Sequence, residues 1–283
     1  MPKALEKKEP RKKPVVDASL CELPPVDPIH ASRFERICHA ALLKNRSEPD
    51  AGIGTLKERR LHSIVKHYLC DNEAYHEVGV ENTRYVADVR IGNLVYEVQT
   101  GAFYPMQRKI GYYLEKTDCT VTVVHPIAAV KWISWVDPAT HEIAPRKRSP
   151  KKGRPIDLLP ELYSFLPYLS NPRLRYYLLL LEVEDFRLLN GRRSKDRKRG
   201  SERYERIPLS LLGELEINEP AEFAHIVPRE LPGVFTVREF SALTGLVGRD
   251  AYSAVRVLSA LGFFREGEKR GRAMTWERVD LKD

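Results

Sequence analysis

The chain has 283 residues, 42% hydrophobic and 30% charged, which is enough apolar material for one large domain or two modest ones. Lys and Arg outnumber Asp and Glu by 47 to 39, a net charge of +8 that favours a polyanionic partner, most simply nucleic acid. No apolar run approaches a membrane span, the N-terminus lacks a signal-like apolar stretch, and the four cysteines form no metal or disulfide pattern. The expectation is a cytoplasmic protein with reduced thiols and no membrane partner.

Residues 1–28 are rich in Lys, Arg and Pro and are expected to form a disordered basic tail. From His30 to about Asn45, Phe34, Ile37, Cys38, Ala41 and Leu42 share one helical face. After a loop containing Pro49, Gly52 and Gly54, a second helix opens at Thr55, with Leu61, Ile64, Val65, Tyr68 and Leu69 as its stripe. Thr55 and Glu58 have the spacing of a capping box, in which hydroxyl and carboxylate satisfy the first amides reciprocally. Residues 76–80 then read as a strand.

Arg84 to Gly101 reads as a β-hairpin turning at Gly92-Asn93, a pair suited to a type II′ turn. That turn sets Ile91 opposite Leu94, Arg90 opposite Val95, Val89 opposite Tyr96 and Asp88 opposite Glu97. One face then carries Ala87, Val89, Ile91, Leu94, Tyr96 and Val98 and can be buried; the other carries Val86, Asp88, Val95, Glu97 and Gln99. Carboxylates paired across strands repel, and a divalent cation is the simplest way to offset that repulsion. Salt bridges to Arg84 or Arg90 are the alternative. A helix over 106–116 and a strand over 119–126 follow, the strand expected to return parallel to the hairpin.

An acidic residue in a hairpin followed by Glu-x-Lys on the next strand is the signature of the PD-(D/E)XK nuclease superfamily. Asp88 and Glu97-Val98-Gln99 resemble it, with Ala87 where proline is usual and Gln99 where lysine is usual. Some restriction enzymes of the class carry glutamine there. The order helix, three strands, helix, strand over residues 55–126 is also similar. The resemblance implies Mg²⁺ or Mn²⁺ held by Asp88, Glu97 and the carbonyl of Val98, with Glu58 reaching the metal through water or simply capping its helix. Gln99 or Lys109 would orient the attacking water or steady developing charge; otherwise Lys109 belongs to a solvated basic face near a DNA groove.

Residues 130–144 look like a second hairpin turning at Asp137-Pro138. A basic run over 145–154 contributes Arg146, Lys147, Arg148, Lys151 and Lys152 as candidate phosphate contacts. Residues 157–169 read as a helix interrupted by Pro160 and Pro167. A second run over 191–200, with Arg192, Arg193, Lys195, Arg197, Lys198 and Arg199, lies between strand-like segments 174–189 and 203–217, as at a β-ribbon tip.

Beyond Pro220 the pattern becomes helix over 221–230, helix over 237–244, turn, helix over 249–261, then two strands around EGEKRGR. This resembles a winged-helix domain, whose second helix would offer Arg249, Asp250, Tyr252, Ser253 and Arg256 to a DNA groove, with Lys269, Arg270 and Arg272 on the wing. Such a domain also suits a partner protein or a second copy of the chain. The expected fold class is α+β or α/β: a restriction-endonuclease-like mixed sheet flanked by helices, followed by a small winged helix-turn-helix domain. Its boundaries are a tail (1–28), a nuclease-like core (29–145), a basic extension with a β-ribbon (146–218) and the winged helix (219–283). The expected function is metal-dependent hydrolysis of phosphodiester bonds, as a double-stranded DNA endonuclease, or DNA binding and regulation by a catalytically weak or inactive nuclease fold. Phosphate-binding Gly-rich loops, Gly-x-Ser-x-Gly elbows, His-Glu-x-x-His and dinucleotide fingerprints are absent from the sequence.

Overall fold

The computed structural model describes residues 25–44, 59–80, 83–140, 142–188 and 202–279. Most of the basic tail, Glu58 and the whole 191–200 run lie outside the described residues. The class is mixed α+β, with a large mixed sheet flanked by helices. No helix among the described residues is long and apolar enough to cross a membrane.

Two helices, α1 (Pro28–Lys44) and α2 (Arg59–Leu69), precede strands β1 (His76–Gly79), β2 (Val86–Ile91) and β3 (Leu94–Val98). Helix α3 (Gln107–Lys116) leads to β4 (Thr120–Val136), β5 (Lys147–Arg148), β6 (Leu174–Leu188) and β7 (Glu202–Ile217). The sheet order is β1-β2-β3-β4-β6-β7, with β5 paired to β4. The hairpin has the expected register, Val89 to Tyr96, Arg90 to Val95 and Ile91 to Leu94. Gly92 has φ of +62° while Asn93 keeps a negative φ, the combination of a type II′ turn. Strand β4 returns parallel to β3, Leu94 pairing with Thr120 and Val98 with Val124.

The two sides of the sheet are filled differently. Phe34, Leu61, Ile64 and Val65 of α1 and α2 pack on Val98, Val124, Leu179 and Leu181. Ile110, Tyr113 and Leu114 of α3 pack with Leu158, Leu162 and Phe165 on Val95, Val121 and Val123. Val123 and Val124 are neighbours on one strand and so point to opposite sides. The hairpin was expected to bury one face only. Instead Val95 and Val98 are both buried, while Ile91 and Leu94 at the turn are exposed. The parallel neighbour explains this, because a parallel strand demands cover on both faces.

Local expectations gave way in four places, one of them the helix expected over 221–230, which is a 3₁₀ stretch over Pro220–Ile226. The strand at 119–126 and the first arm of the hairpin at 130–144 are one strand, β4, with an irregularity between Ala128 and Val130. The chain does turn at Asp137, whose Oδ1 accepts from the amides of Ala139 and Thr140. Its return is limited to a Val136–Ile143 bridge and the short β5. Segment 157–169 forms two 3₁₀ stretches, Pro155–Leu158 and Glu161–Tyr168, because Pro160 and Pro167 deny α-helical hydrogen bonds.

The C-terminal part contains a 3₁₀ turn (Pro220–Ile226), β8 (Val234–Thr236), α4 (Val237–Thr244), α5 (Arg249–Ala260), β9 (Phe264–Arg270) and β10 (Ala273–Arg278). Its strands are ordered β8-β10-β9. Thr236 and Glu239 form a capping box at α4, and Gly245 ends the helix at φ +71°. Phe235, Phe240, Ala254, Leu258 and Trp276 belong to the same apolar cluster as Phe165 and Ile110. The Arg154 guanidinium also donates to the Thr244 carbonyl. This part therefore shares a core with the large sheet.

Candidate active site

The β2–β3 ladder ends at Val89 and Tyr96, and one step further along lie Asp88 and Glu97. There the Asp88 side chain takes over from the ladder: its Oδ2 accepts the Val98 amide at 2.7 Å. The same oxygen is 3.1 Å from His62 Nε2 of α2. Glu97 points toward α3, where Oε2 accepts from Lys109 Nζ at 2.5 Å and Oε1 from the Tyr113 hydroxyl at 3.0 Å. Lys109 Nζ also donates to the Val86 carbonyl at 2.7 Å, so its ammonium spans both arms of the hairpin. Helices from the two sides of the sheet thus converge on a gap between diverging strands.

The surroundings treat the two acids in opposite ways. Burial pushes Asp88 up, but His62, the Val98 amide and the Lys109 charge outweigh it and hold the carboxyl below its usual range. Glu97 is 3% exposed, and burial, reinforced by the Asp88 charge, raises it to about 7 despite Lys109 and Tyr113. Among the described residues neither acid is held by a guanidinium. Arg90 donates instead to the carbonyls of Gly92 and Gly79, so the salt-bridge alternative through Arg90 is not what the fold builds.

Gln99 turns away: its side-chain amide donates to the Ala102 carbonyl. The cationic group beside the acids is Lys109, on the helix after the hairpin. Its side chain is 20% exposed and is not part of a solvated face. His62 and Tyr113 were not singled out in the sequence. The available signals were weak: His62 flanks the α2 stripe and stands four residues before Lys66, which pairs with Glu77 on β1 at 2.8 Å. Tyr113 reads simply as core.

Among the described residues no three His, Cys, Asp or Glu side chains group as a ready-made metal cage. The residues nonetheless fit a hard divalent cation. Asp88 lies close enough for its charge to act on Glu97, and Asp88 Oδ1 carries no hydrogen bond among the described residues. Burial, with the Asp88 charge, raises Glu97 in spite of the Lys109 ammonium. One or two carboxylates with waters suffice for Mg²⁺.

The candidate nucleic-acid contacts divide. Lys147, Arg148, Lys151 and Lys152 are exposed, whereas Arg146 stacks over Trp132 at 4.6 Å and lies 3.6 Å from Glu184. Arg192, Arg193, Lys195, Arg197, Lys198 and Arg199 are outside the described residues, as is Glu58. On α5, Arg249, Asp250 and Tyr252 are exposed and Arg256 pairs with Glu266 at 3.1 Å. Ser253 does not face a groove as expected: it is 5% exposed, on the side of α5 that packs inward with Ala254 and Val257, and cannot reach a base edge. Lys269 and Arg272 are exposed, while Arg270 is drawn back to Glu239 at 2.8 Å.

The profile of a protein family described as a domain of unknown function (DUF8091) matches residues 59–218, more than half of the chain. No curated protein and no solved structure matches it.

Proposed function

We propose, starting from the fact that the chain belongs to the DUF8091 family and that the matched span holds His62, Asp88, Glu97, Lys109 and Tyr113, that it is a metal-dependent nuclease acting on DNA. The observation that carries this is the meeting of Asp88, Glu97 and the Lys109 ammonium where the hairpin strands diverge. Asp88, Glu97 and the Val98 carbonyl would hold Mg²⁺ or Mn²⁺, which supplies a polarised phosphate and an acidified water. Lys109, anchored by Val86, keeps a fixed positive charge where negative charge develops during phosphoryl transfer. Tyr113 and His62 hold the two carboxylates in orientation. Gln99, turned to Ala102, has no part in the step.

The C-terminal helix-turn-helix and hairpin support a winged-helix role in docking duplex DNA, through Arg249 and Tyr252 on α5 and Lys269 and Arg272 on the wing. A second reading, a nuclease fold retained for DNA binding alone, is favoured by Lys109 already supplying a cation to Glu97.

Supercoiled and linear DNA incubated with Mg²⁺ or Mn²⁺ separate the two. Cleavage lost in both Asp88→Ala and Glu97→Ala supports the nuclease. No cleavage under any condition, with DNA affinity that survives both substitutions and falls in the Arg249→Glu/Lys269→Glu/Arg272→Glu variant, supports the binder. Charge reversal is the appropriate perturbation, because removing the C-terminal part would expose the shared core.

A further inference from the structure

Beyond the carboxylate pair, β4, β6 and β7 run on past the end of β3. Glu97 pairs with Val123, and β4 continues to Val136 with β5 on one edge and β6 on the other. Leu181 and Val183 of β6 lie on the α2 side, so Asp185 and Arg187 continue that side. Lys131 is opposite Val183, and Ile133 is opposite both Asp185 and Lys147, which places Lys131 and Lys147 on the same face. Arg206 joins from β7, opposite Asp185.

The charges on this face do not cancel. Asp185 is 3% exposed and gives both oxygens to Arg206, at 2.6 and 2.9 Å. Lys131 is half-buried and has no hydrogen bond or ion pair from its ammonium among the described residues. Lys147 and the Lys151 side chain also lack a carboxylate partner there. Burial lowers Lys131, and Arg206, Lys151 and Arg187 add to that against the pull of Asp185. An anion is the missing neighbour.

We propose that this strip, centred on Lys131 with Lys147 and Lys151 beside it, grips the phosphodiester backbone of duplex DNA away from the cut. At about 3.3 Å per residue, Lys131 stands roughly 25 Å from Glu97 along β4. With a rise of about 3.4 Å per base pair, that is some seven base pairs. Only this distance rests on the nuclease reading; the phosphate grip does not.

The test measures binding of the full chain to a long duplex by fluorescence anisotropy in EDTA, across a salt series. Lys131→Ala is expected to weaken binding severalfold irrespective of sequence and to reduce the slope of log affinity against log salt by about one. Lys131→Arg should keep both. The unfolding midpoint of Lys131→Ala should not fall, since no ion pair is broken. Lys147→Ala, at an exposed position, carries the same expectation and decides the matter if Lys131→Ala folds poorly. A wild-type slope in the folded variants overturns the strip. In cleavage assays, duplexes ending within about four base pairs of the cut on that side should be indifferent to Lys131→Ala, since the strip lies roughly seven base pairs away. A slope change without cleavage keeps the strip and removes the nuclease.

Discussion

Glu97 offers a measurement that needs neither substrate nor metal. In the unfolded chain its carboxyl ionises near 4.5, but in the fold burial delays this to about 7. A raised carboxyl stabilises the fold fully below 4.5, and that contribution is lost as pH rises through about 7. At about 1.4 kcal/mol per pH unit, the loss between pH 5 and pH 8 is roughly 2–3 kcal/mol. Glu97→Gln keeps an acceptor for Tyr113 but cannot ionise, so its stability should lack this fall. Urea unfolding of both proteins in EDTA at pH 5 and pH 8 gives the difference directly. His30, raised by its bond to Glu214, contributes to both curves and cancels. Mg²⁺ added at pH 8 should stabilise the wild type and not the variant, because binding to the folded state alone shifts the equilibrium. Parallel pH curves for the two proteins would falsify the burial of an ionisable carboxylate at this position.

Four further outcomes follow from the same geometry. In a cleavage assay Lys109→Met should abolish turnover while Gln99→Ala changes it by less than about tenfold, since Lys109 reaches Glu97 and Gln99 does not; the reverse order would return the role to Gln99. Gly111 lies under Tyr168, and a Cβ there would overlap the tyrosine ring, so Gly111→Ala should cost about 1–3 kcal/mol in urea unfolding. Helix propensity alone predicts a gain of up to about 1 kcal/mol, so the sign discriminates. Tyr68 and Tyr177 both donate to Glu214, and Tyr177→Phe should lower stability by about 1.5–3 kcal/mol because the acceptor is a carboxylate. Phe240→Ala should cost about 3–5 kcal/mol and weaken signals from the large sheet as well as from α4, as hydrogen exchange would report.

The hairpin register, its turn type and the parallel return of β4 were legible because each depends on residues close in the chain. Alternation of period two sorts side chains between faces, and Gly92 alone supplies the positive φ that joins the arms. The same counting sets Asp88 opposite Glu97, but the ladder ends at Val89 and Tyr96, and the two carboxylates turn to helices on opposite sides of the sheet. The two 3₁₀ stretches, the length of β4 and the inward position of Ser253 were not legible. Helix type around Pro160 and Pro167, and the side of α5 that is covered, depend on what packs against those segments.

The chain by itself determined which local pieces form and which strands of the hairpin carry the two acids, since strand period, turn chemistry and helix stripes are properties of near neighbours. The tertiary structure decided what surrounds those acids. His62 on α2 and Lys109 on α3 sit on separate helices that approach from opposite sides of the sheet, so no spacing in the sequence records their meeting. Desolvation, which raises Glu97 and lowers Lys131, likewise arises only when layers close over a group and remove its water.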